Sequence, residues 1–172
     1  MAVIKYGQSM GSKDIFHEAK EALDVAEQRY TSVGSLNVIA ANAVNQACEN
    51  SLRALYEAAT GMPFPYERFR PFHKPELIAN SLGITRFYSE KSQNFLKRLT
   101  GYALDDARFE GSQAYIDHTK GTSAGRSNQL IIDGKTFLLE SEKLSTDIEV
   151  IKTIQSQAAQ NDRITGHDDS AK

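Results

Sequence analysis

One stretch constrains the fold of this chain more than any other, and it runs from Leu36 to Thr60. Its small and apolar side chains recur at steps of three and four, the spacing of one face of an α-helix. They are Ala40, Ala43, Val44, Ala47, Cys48, Leu52, Leu55, Tyr56 and Ala59. No glycine or proline interrupts the stretch, Ser35 precedes it as an N-cap, and Gly61 follows it as a stop. The pattern predicts a long helix whose small-residue half lets a neighbouring helix approach closely.

The same periodicity predicts further helices on both sides of this stretch. Residues 13–32 form an amphipathic pattern behind Ser12 as N-cap, and residues 75–83 form a short one that Pro75 begins. In the short helix Leu77, Ile78 and Leu82 are expected to face inward. Another helix is predicted over about residues 89–104. The first two long helices are joined by a short turn, which favours antiparallel neighbours.

The last helix is predicted to run without a break from about Ala124 to Gln157. Its apolar stripe comprises Leu130, Ile131, Phe137, Leu138, Leu144, Ile148, Ile151 and Ile154. Gly134 inside it marks either a weak point or a close helix crossing. The segment from Asp105 to Gly125 is polar and contains Gly111 and Gly121 between its ends, so it is expected to be a long surface connection.

These elements predict an all-α, up-and-down bundle of four to five helices, because no stretch alternates as a strand does. Residues 1–157 would form a single domain, and residues 158–172 a polar, flexible C-terminal tail. No apolar run approaches the ~20 residues that cross a bilayer. The first residues have too short an apolar region for a secretion signal. We therefore expect a cytoplasmic protein without membrane contact.

Composition narrows the possible functions. A net charge of −2 gives no global attraction to nucleic acid, although a local basic patch remains compatible with it. The single Cys48 is expected to be a buried small side chain rather than a nucleophile. The four histidines lie in separate segments, and no phosphate-binding glycine loop occurs. We therefore expect neither a metal site nor a cofactor.

The segment from Tyr66 to Lys74 is the main candidate site. It interleaves the cationic residues Arg68, Arg70, His73 and Lys74 with aromatic rings. Guanidinium groups bind phosphate in two-pronged contacts, and aromatic rings stack on bases. The competing interpretation is that the phenylalanines at 64, 69 and 72 close the end of the bundle while the charges face water.

Two weaker clusters carry the remaining candidate residues. Arg108 lies between carboxylates in residues 105–110, where it either binds a ligand or is held by Asp105 and Asp106 to fix a bend. His118 and Arg126 lie in the glycine-rich connection, where scattered basic residues are usually just solvated. We keep Arg108, His118 and Arg126 as ligand-binding candidates.

In order and spacing, the chain resembles the HEPN family (higher eukaryotes and prokaryotes nucleotide-binding domain). An acidic amphipathic first helix precedes an alanine-rich second helix that matches the family pattern. The matching positions are Gln46, Ala47, Glu49, Leu52, Arg53, Ala54 and Leu55. A proline-containing loop then leads to His73 and Leu77-Ile78, and residues 107–109 resemble a further family motif before the last helix.

This resemblance implies a helical bundle, often a homodimer, with one of two roles. Some members are metal-independent ribonucleases of toxin or defence type, with an Arg-x4–6-His motif near the final helix. Others bind nucleotides without catalysis or partner a nucleotidyltransferase. Counted from Arg126, the positions where this motif would place its histidine hold Ile131, Ile132 and Asp133. The pair Arg68 and His73 has the spacing of the motif, but it lies in the loop after the second helix.

Three functional hypotheses follow. The first is a non-catalytic HEPN-like protein that binds nucleotide or RNA, or that partners a nucleotidyltransferase-type enzyme. The second is a metal-independent endoribonuclease of toxin–antitoxin or defence type, in which His73 or His118 takes the 2′-hydroxyl proton and an arginine, Arg68 beside His73, stabilises the charge. The third is a scaffold that only dimerises. The misplaced motif favours a protein that is not an enzyme.

Overall fold

The computed structural model describes residues 11–30, 38–69, 74–109 and 124–169, and all regular structure in them is helical. The long helices are α1 (Ser12–Tyr30), α2 (Val38–Thr60), α5 (Glu90–Phe109), α6 (Ala124–Leu144) and α7 (Ile148–Asp169). Two short helices are α3 (Tyr66–Phe69) and α4 (Pro75–Ser81), and a 3-10 turn spans Thr85–Phe87. The predicted all-α class is confirmed for these ranges.

One hydrophobic core connects the long helices. The small-residue face of α2 contacts α1 and α6, and α4, α5 and α7 also pack against α2. Val44, Ala47, Cys48, Leu52 and Leu55 are almost completely buried, as their spacing predicted. Each large aliphatic side chain so buried contributes about 1.5–3 kcal/mol to folding.

The end of α2 and the start of α4 follow the predicted boundary signals. Gly61 follows Thr60 with φ +66° and its N–H donates to the carbonyl of Glu57 at 2.9 Å, which closes α2 in the left-handed geometry typical of glycine. Pro75 is at the start of α4, where its missing N–H costs no hydrogen bond. The position of Ser35 lies outside the described residues.

Gly134 marks a close helix crossing, one of the two alternatives that the sequence left open. A Cβ atom at Gly134 would lie 3.1 Å from Cγ1 of Val44 on α2 and 3.5 Å from Cδ1 of Leu23 on α1. The same atom would lie 3.8 Å from the ring of Phe95 on α5. The absence of a side chain therefore lets α6 approach three helices at once.

The prediction of one unbroken helix over residues 124–157 is wrong. α6 ends at Leu144 and α7 begins at Ile148, and the carboxylate of Asp147 accepts hydrogen bonds from the N–H of Glu149 at 2.9 Å and of Val150 at 3.4 Å. This N-cap restarts the helix in a new phase. Ile148 is consequently 66% exposed, contrary to its predicted inward position, while Val150 and Ile154 are buried.

Two further boundaries differ from the sequence prediction. α5 continues through Phe109, so Arg108 belongs to a helix and not to a bend in a connection that begins at Asp105. α7 continues to Asp169 and buries Ala158, so the segment predicted as a tail from residue 158 is helical along most of its length. Both extensions are polar sequences without a glycine or proline at the predicted end, so nothing there stops the helix.

The short helices add two details to the predicted fold. One helical turn, α3, forms between Pro65 and Pro71, where the sequence pattern had predicted no separate element. Leu77 is 37% exposed, whereas Ile78 and Leu82 on the same helix are buried as predicted. In the described ranges no helix combines the length and the apolar character that membrane crossing requires.

Candidate functional site

A surface groove lies between α2 and the segment that carries α3 and α4. Its polar wall is one face of α2, and its apolar floor is formed by Phe64 and Ile78. The groove is shallow, with a volume of about 20 Å³, so a ligand would lie along it rather than inside it. The residues that line it are Gln46, Glu49, Asn50, Arg53, Phe64, Tyr66 and Ile78.

Arg53 is the cation of this groove, and two neighbours fix its direction. Its Nε donates to Oε1 of Glu57, one turn later on α2, at 3.1 Å. Its guanidinium carbon lies 5.5 Å from the centre of the Tyr66 ring. Partial burial opposes the charge, but the hydrogen bond to Glu57 and the interaction with Tyr66 outweigh it, so the pKa of Arg53 is raised. The guanidinium is thus held charged and oriented.

Glu57 connects this cation to the backbone of the groove floor. Its Oε1 also accepts the backbone N–H of Phe64 at 3.2 Å, so one carboxylate oxygen orients both the arginine and the start of the α3 segment. Phe64 in turn meets the Tyr56 ring edge to face at 5.6 Å and the Tyr66 ring at 5.3 Å. The result is an aromatic row that ends at Tyr66, which is 52% exposed.

The rest of the α2 wall offers amide and carboxylate groups. Gln46 donates to the side-chain carbonyl of Asn50 at 3.3 Å, and Asn45 donates to Glu49 at 3.0 Å. Side-chain amides carry both donors and acceptors, so this wall can pair with the polar edge of a planar ligand. The guanidinium beside it suits a phosphate, and the exposed Tyr66 ring suits a base face.

The residues predicted from sequence as the site are only partly described. Arg68 belongs to α3, Arg108 to α5 and Arg126 to α6 by their backbones, and their side chains lie outside the described part of the structure. Arg70, His73 and His118 lie outside it altogether. Lys74 is half-buried and precedes α4, where its carbonyl accepts the N–H of Ile78 at 3.1 Å. The proximity of these side chains to one another therefore stays a prediction.

The groove on α2 was not among the predicted site residues. Its members on this helix, Gln46, Glu49, Asn50 and Arg53, recur at steps of three, one and three, which defines one polar stripe. Three of them belong to the run that carries the family resemblance. The stripe was visible in the sequence, but only the folded chain shows that it faces Tyr66 rather than open solvent.

A second polar site surrounds Asp133, one of the positions where the family motif would place its histidine. Asp133 is only 3% exposed. Its oxygens accept hydrogen bonds from Arg98 on α5 at 2.7 Å and from Gln129 at 2.8 Å, and Lys91 lies 3.6 Å away. The arrangement therefore joins α5 to α6.

A third polar cluster is internal and joins α6 to the segment before α5. The hydroxyls of Tyr88 and Ser141 lie 2.8 Å apart, and Ser141 donates to the carbonyl of Phe137 at 2.9 Å. Burial is the main cause that raises the pKa of Tyr88 well above its ordinary value, and nearby Cys48 and Glu140 add to it. Tyr88 therefore stays protonated. Its ring stacks on the ring of Phe137, with 4.6 Å between the ring centres.

Burial also raises the pKa of the Cys48 thiol, with a smaller contribution from Glu49. This agrees with the predicted role of Cys48 as a small core side chain, which is confirmed by its complete burial. Within the ranges that the structure covers, no three histidine, cysteine or acidic side chains gather as a metal site would require.

Comparison with family models, with curated proteins and with solved structures finds no significant match to this chain.

Proposed function

We propose that this chain is a non-catalytic, HEPN-like helical module that binds a nucleotide or single-stranded RNA in the groove on α2. The observation that carries the proposal is the pair of Arg53 and Tyr66. A guanidinium fixed by Glu57 lies over an exposed aromatic ring, at the edge of a wall of side-chain amides. These are the three kinds of group that bind phosphate, base face and base edge.

The neighbouring chain segment strengthens this interpretation. Tyr66 begins α3, and the basic residues Arg68, Arg70, His73 and Lys74 follow within the next eight positions. Because they are close to Tyr66 in the sequence, we expect them to contact the phosphates of a strand that binds at Tyr66. Local positive charge of this kind supplies phosphate contacts that the net charge of −2 does not.

Asp133 supports a role without catalysis. By the resemblance, a ribonuclease of the family type needs a histidine five to seven residues after its motif arginine, for which Arg126 at the start of α6 is the candidate. Here the corresponding positions hold two isoleucines and an aspartate whose carboxylate is engaged by Arg98 and Gln129. Cleavage by His73 with Arg68 remains the alternative, and the binding experiment tests it at the same time.

The experiment is fluorescence anisotropy with a labelled single-stranded RNA of about 12 nucleotides, in EDTA. We expect saturable binding by the wild-type chain. Tyr66→Ala should weaken binding by roughly 5- to 150-fold, because stacking contributes about 1–3 kcal/mol per base. Tyr66→Phe keeps the ring and should bind within about twofold of wild type.

The matched control is Arg86→Gln. Arg86 also lies over an aromatic ring, that of Phe87 at 4.8 Å, but it is not part of the groove. Arg53→Gln should weaken binding while Arg86→Gln leaves it unchanged. Equal loss in both variants, or no binding by wild type, refutes the proposal. RNA shortened on a gel after incubation with wild-type chain, and intact with His73→Ala, would establish the nuclease alternative instead.

A further inference from the structure

A second and larger cavity lies away from the α2 groove, between the start of α1, the end of α2 and the turn that joins α6 to α7. Its volume is about 550 Å³. Phe16 and Ala58 form its apolar base. A cavity of this size is large enough for a small metabolite.

One wall of the cavity consists of hydrogen-bond donors. Lys13, His17 and Lys20 follow each other on α1 at steps of four and three, so they share one helix face, and all three line the cavity. Lys20 forms an ion pair with Glu142 on α6, and His17 lies 3.2 Å from Glu21 on its own helix. Among the described residues Lys13 has no carboxylate within ion-pair distance, so its ammonium is available to a ligand.

The opposite wall consists of acceptors. Ser145 donates its hydroxyl proton to the carbonyl of Glu142 at 2.5 Å, and Thr146 donates to the carbonyl of Lys143 at 3.1 Å. Because these protons are engaged, the hydroxyl oxygens can offer only lone pairs to the cavity. The carboxylate of Glu142, on the same side, is also an acceptor, and it is engaged by the ammonium of Lys20.

We infer that this cavity binds a small phosphate ester that carries free hydroxyl groups, such as a sugar phosphate. Its phosphate would contact Lys13 on α1, and its hydroxyls would donate to Ser145 and Thr146. A sugar phosphate matches both walls, because inorganic phosphate lacks the sugar hydroxyls and a neutral sugar lacks the charge that Lys13 attracts. The inference is independent of the function proposed for the α2 groove.

The test is isothermal titration calorimetry on the full chain at constant ionic strength, with ribose 5-phosphate, inorganic phosphate and ribose as three separate probes. Ribose 5-phosphate should bind at least tenfold more tightly than inorganic phosphate, and ribose should show no binding. Lys13→Gln should lower the affinity for ribose 5-phosphate at least tenfold, in line with the loss of a charge-assisted hydrogen bond.

Two variants make the result specific. Thr146→Val removes an acceptor with little change of shape. It should therefore lower the affinity for ribose 5-phosphate about fivefold and leave the affinity for inorganic phosphate unchanged. Lys97→Gln removes an exposed lysine from α5, away from the cavity, and should change nothing. The inference fails if no probe binds saturably, if Lys97→Gln and Lys13→Gln lose affinity equally, or if ribose 5-phosphate and phosphate bind alike. Tyr66→Ala should leave this binding intact, which separates it from the groove.

Discussion

Gly134 decides how closely the helices of the core approach one another. An alanine there would favour the helical backbone by about 1 kcal/mol. Its methyl group, however, would lie 3.1 Å from Val44 in a fully packed interior. Such crowding costs about 1–3 kcal/mol, and we expect it to prevail. Gly134→Ala should lower the free energy of unfolding by about 1 kcal/mol in urea denaturation.

The control for this prediction removes the atom that the methyl group would meet. In the double variant Gly134→Ala, Val44→Ala, the two changes should be coupled by about 1 kcal/mol, because each compensates for the other. If the changes are additive, or if Gly134→Ala stabilises the chain, the close crossing is not what keeps glycine at this position.

Asp133 presents a buried charge whose partners are partly exposed. Arg98→Ala would leave the carboxylate with Gln129 and with Lys91, which is 3.6 Å away. We expect a loss of about 1–2 kcal/mol in the free energy of unfolding, because a buried charge without its main partner is unfavourable. The neighbouring exposed Lys97→Ala is the matched control and should change stability by less than about 0.5 kcal/mol. Equal effects would argue against a role for Arg98 in holding Asp133.

At the scale of helices, the break between α6 and α7 depends on Asp147. Its side chain accepts the first backbone N–H groups of α7. Asp147→Ala should lower the free energy of unfolding by about 1 kcal/mol, the usual cost of losing an N-cap. Asp147→Asn keeps the accepting oxygen and should be close to wild type in the same denaturation experiment. A variant with alanine as stable as wild type would contradict this account of the break.

This break also shows where sequence reasoning reached its limit. Leu144, Ile148 and Ile151 have the spacing of one continuous stripe, so periodicity alone predicts one helix. The competing signal was Asp147 after Ser145 and Thr146, three residues that form turns and caps readily. The cap shifts the helical phase, so Val150 replaces Ile148 in the core.

Ion pairs fasten α1 to α6 along their exposed sides. Lys135 on α6 contacts both Asp24, at 2.9 Å, and Glu27 on α1. The hydrogen bonds to Glu27 and Asp24 raise its pKa above the ordinary value of 10.5. Because the folded-state pKa is the higher one, the stabilisation is complete below pH 10.5 and is lost as the pH rises through the raised pKa.

Lys135→Met should therefore lower the free energy of unfolding by about 0.5–1 kcal/mol at pH 8, a modest value because the pair is partly exposed. The difference from wild type should shrink as the pH rises above 10.5 through the raised pKa of Lys135. The exposed Lys143→Met, on the same helix, is the control and should change the free energy of unfolding by less than about 0.5 kcal/mol at pH 8. A loss that is constant across this pH range would mean that Lys135 acts through packing and not through charge.

For the molecule as a whole, the fold class and most of the core followed from helical periodicity. The small-residue face of α2, the stop at Gly61 and the start at Pro75 are all local features that neighbouring residues dictate. The exposure of Leu77 and the extensions of α5 and α7 were missed, because they depend on packing partners or on the absence of a stop signal.

The candidate site was less predictable than the fold. The sequence drew attention to the basic and aromatic segment from Tyr66 onward, but the groove also needs Gln46, Asn50 and Arg53 from α2. From the sequence alone, these positions have the pattern of an ordinary solvated helix face. The groove forms only because the backbone N–H of Phe64 bonds to the carboxylate of Glu57, seven residues earlier. Such a contact is a property of the folded chain.

The most direct measurement is ultraviolet cross-linking of the full chain to single-stranded RNA, followed by mass spectrometry of the linked peptides. The account predicts cross-links at Tyr66, beside Arg53, and their loss in Tyr66→Ala while Arg86→Gln retains them. RNA that links only to peptides remote from the α2 groove, or that does not link at all, would contradict the central claim that this groove binds nucleotides.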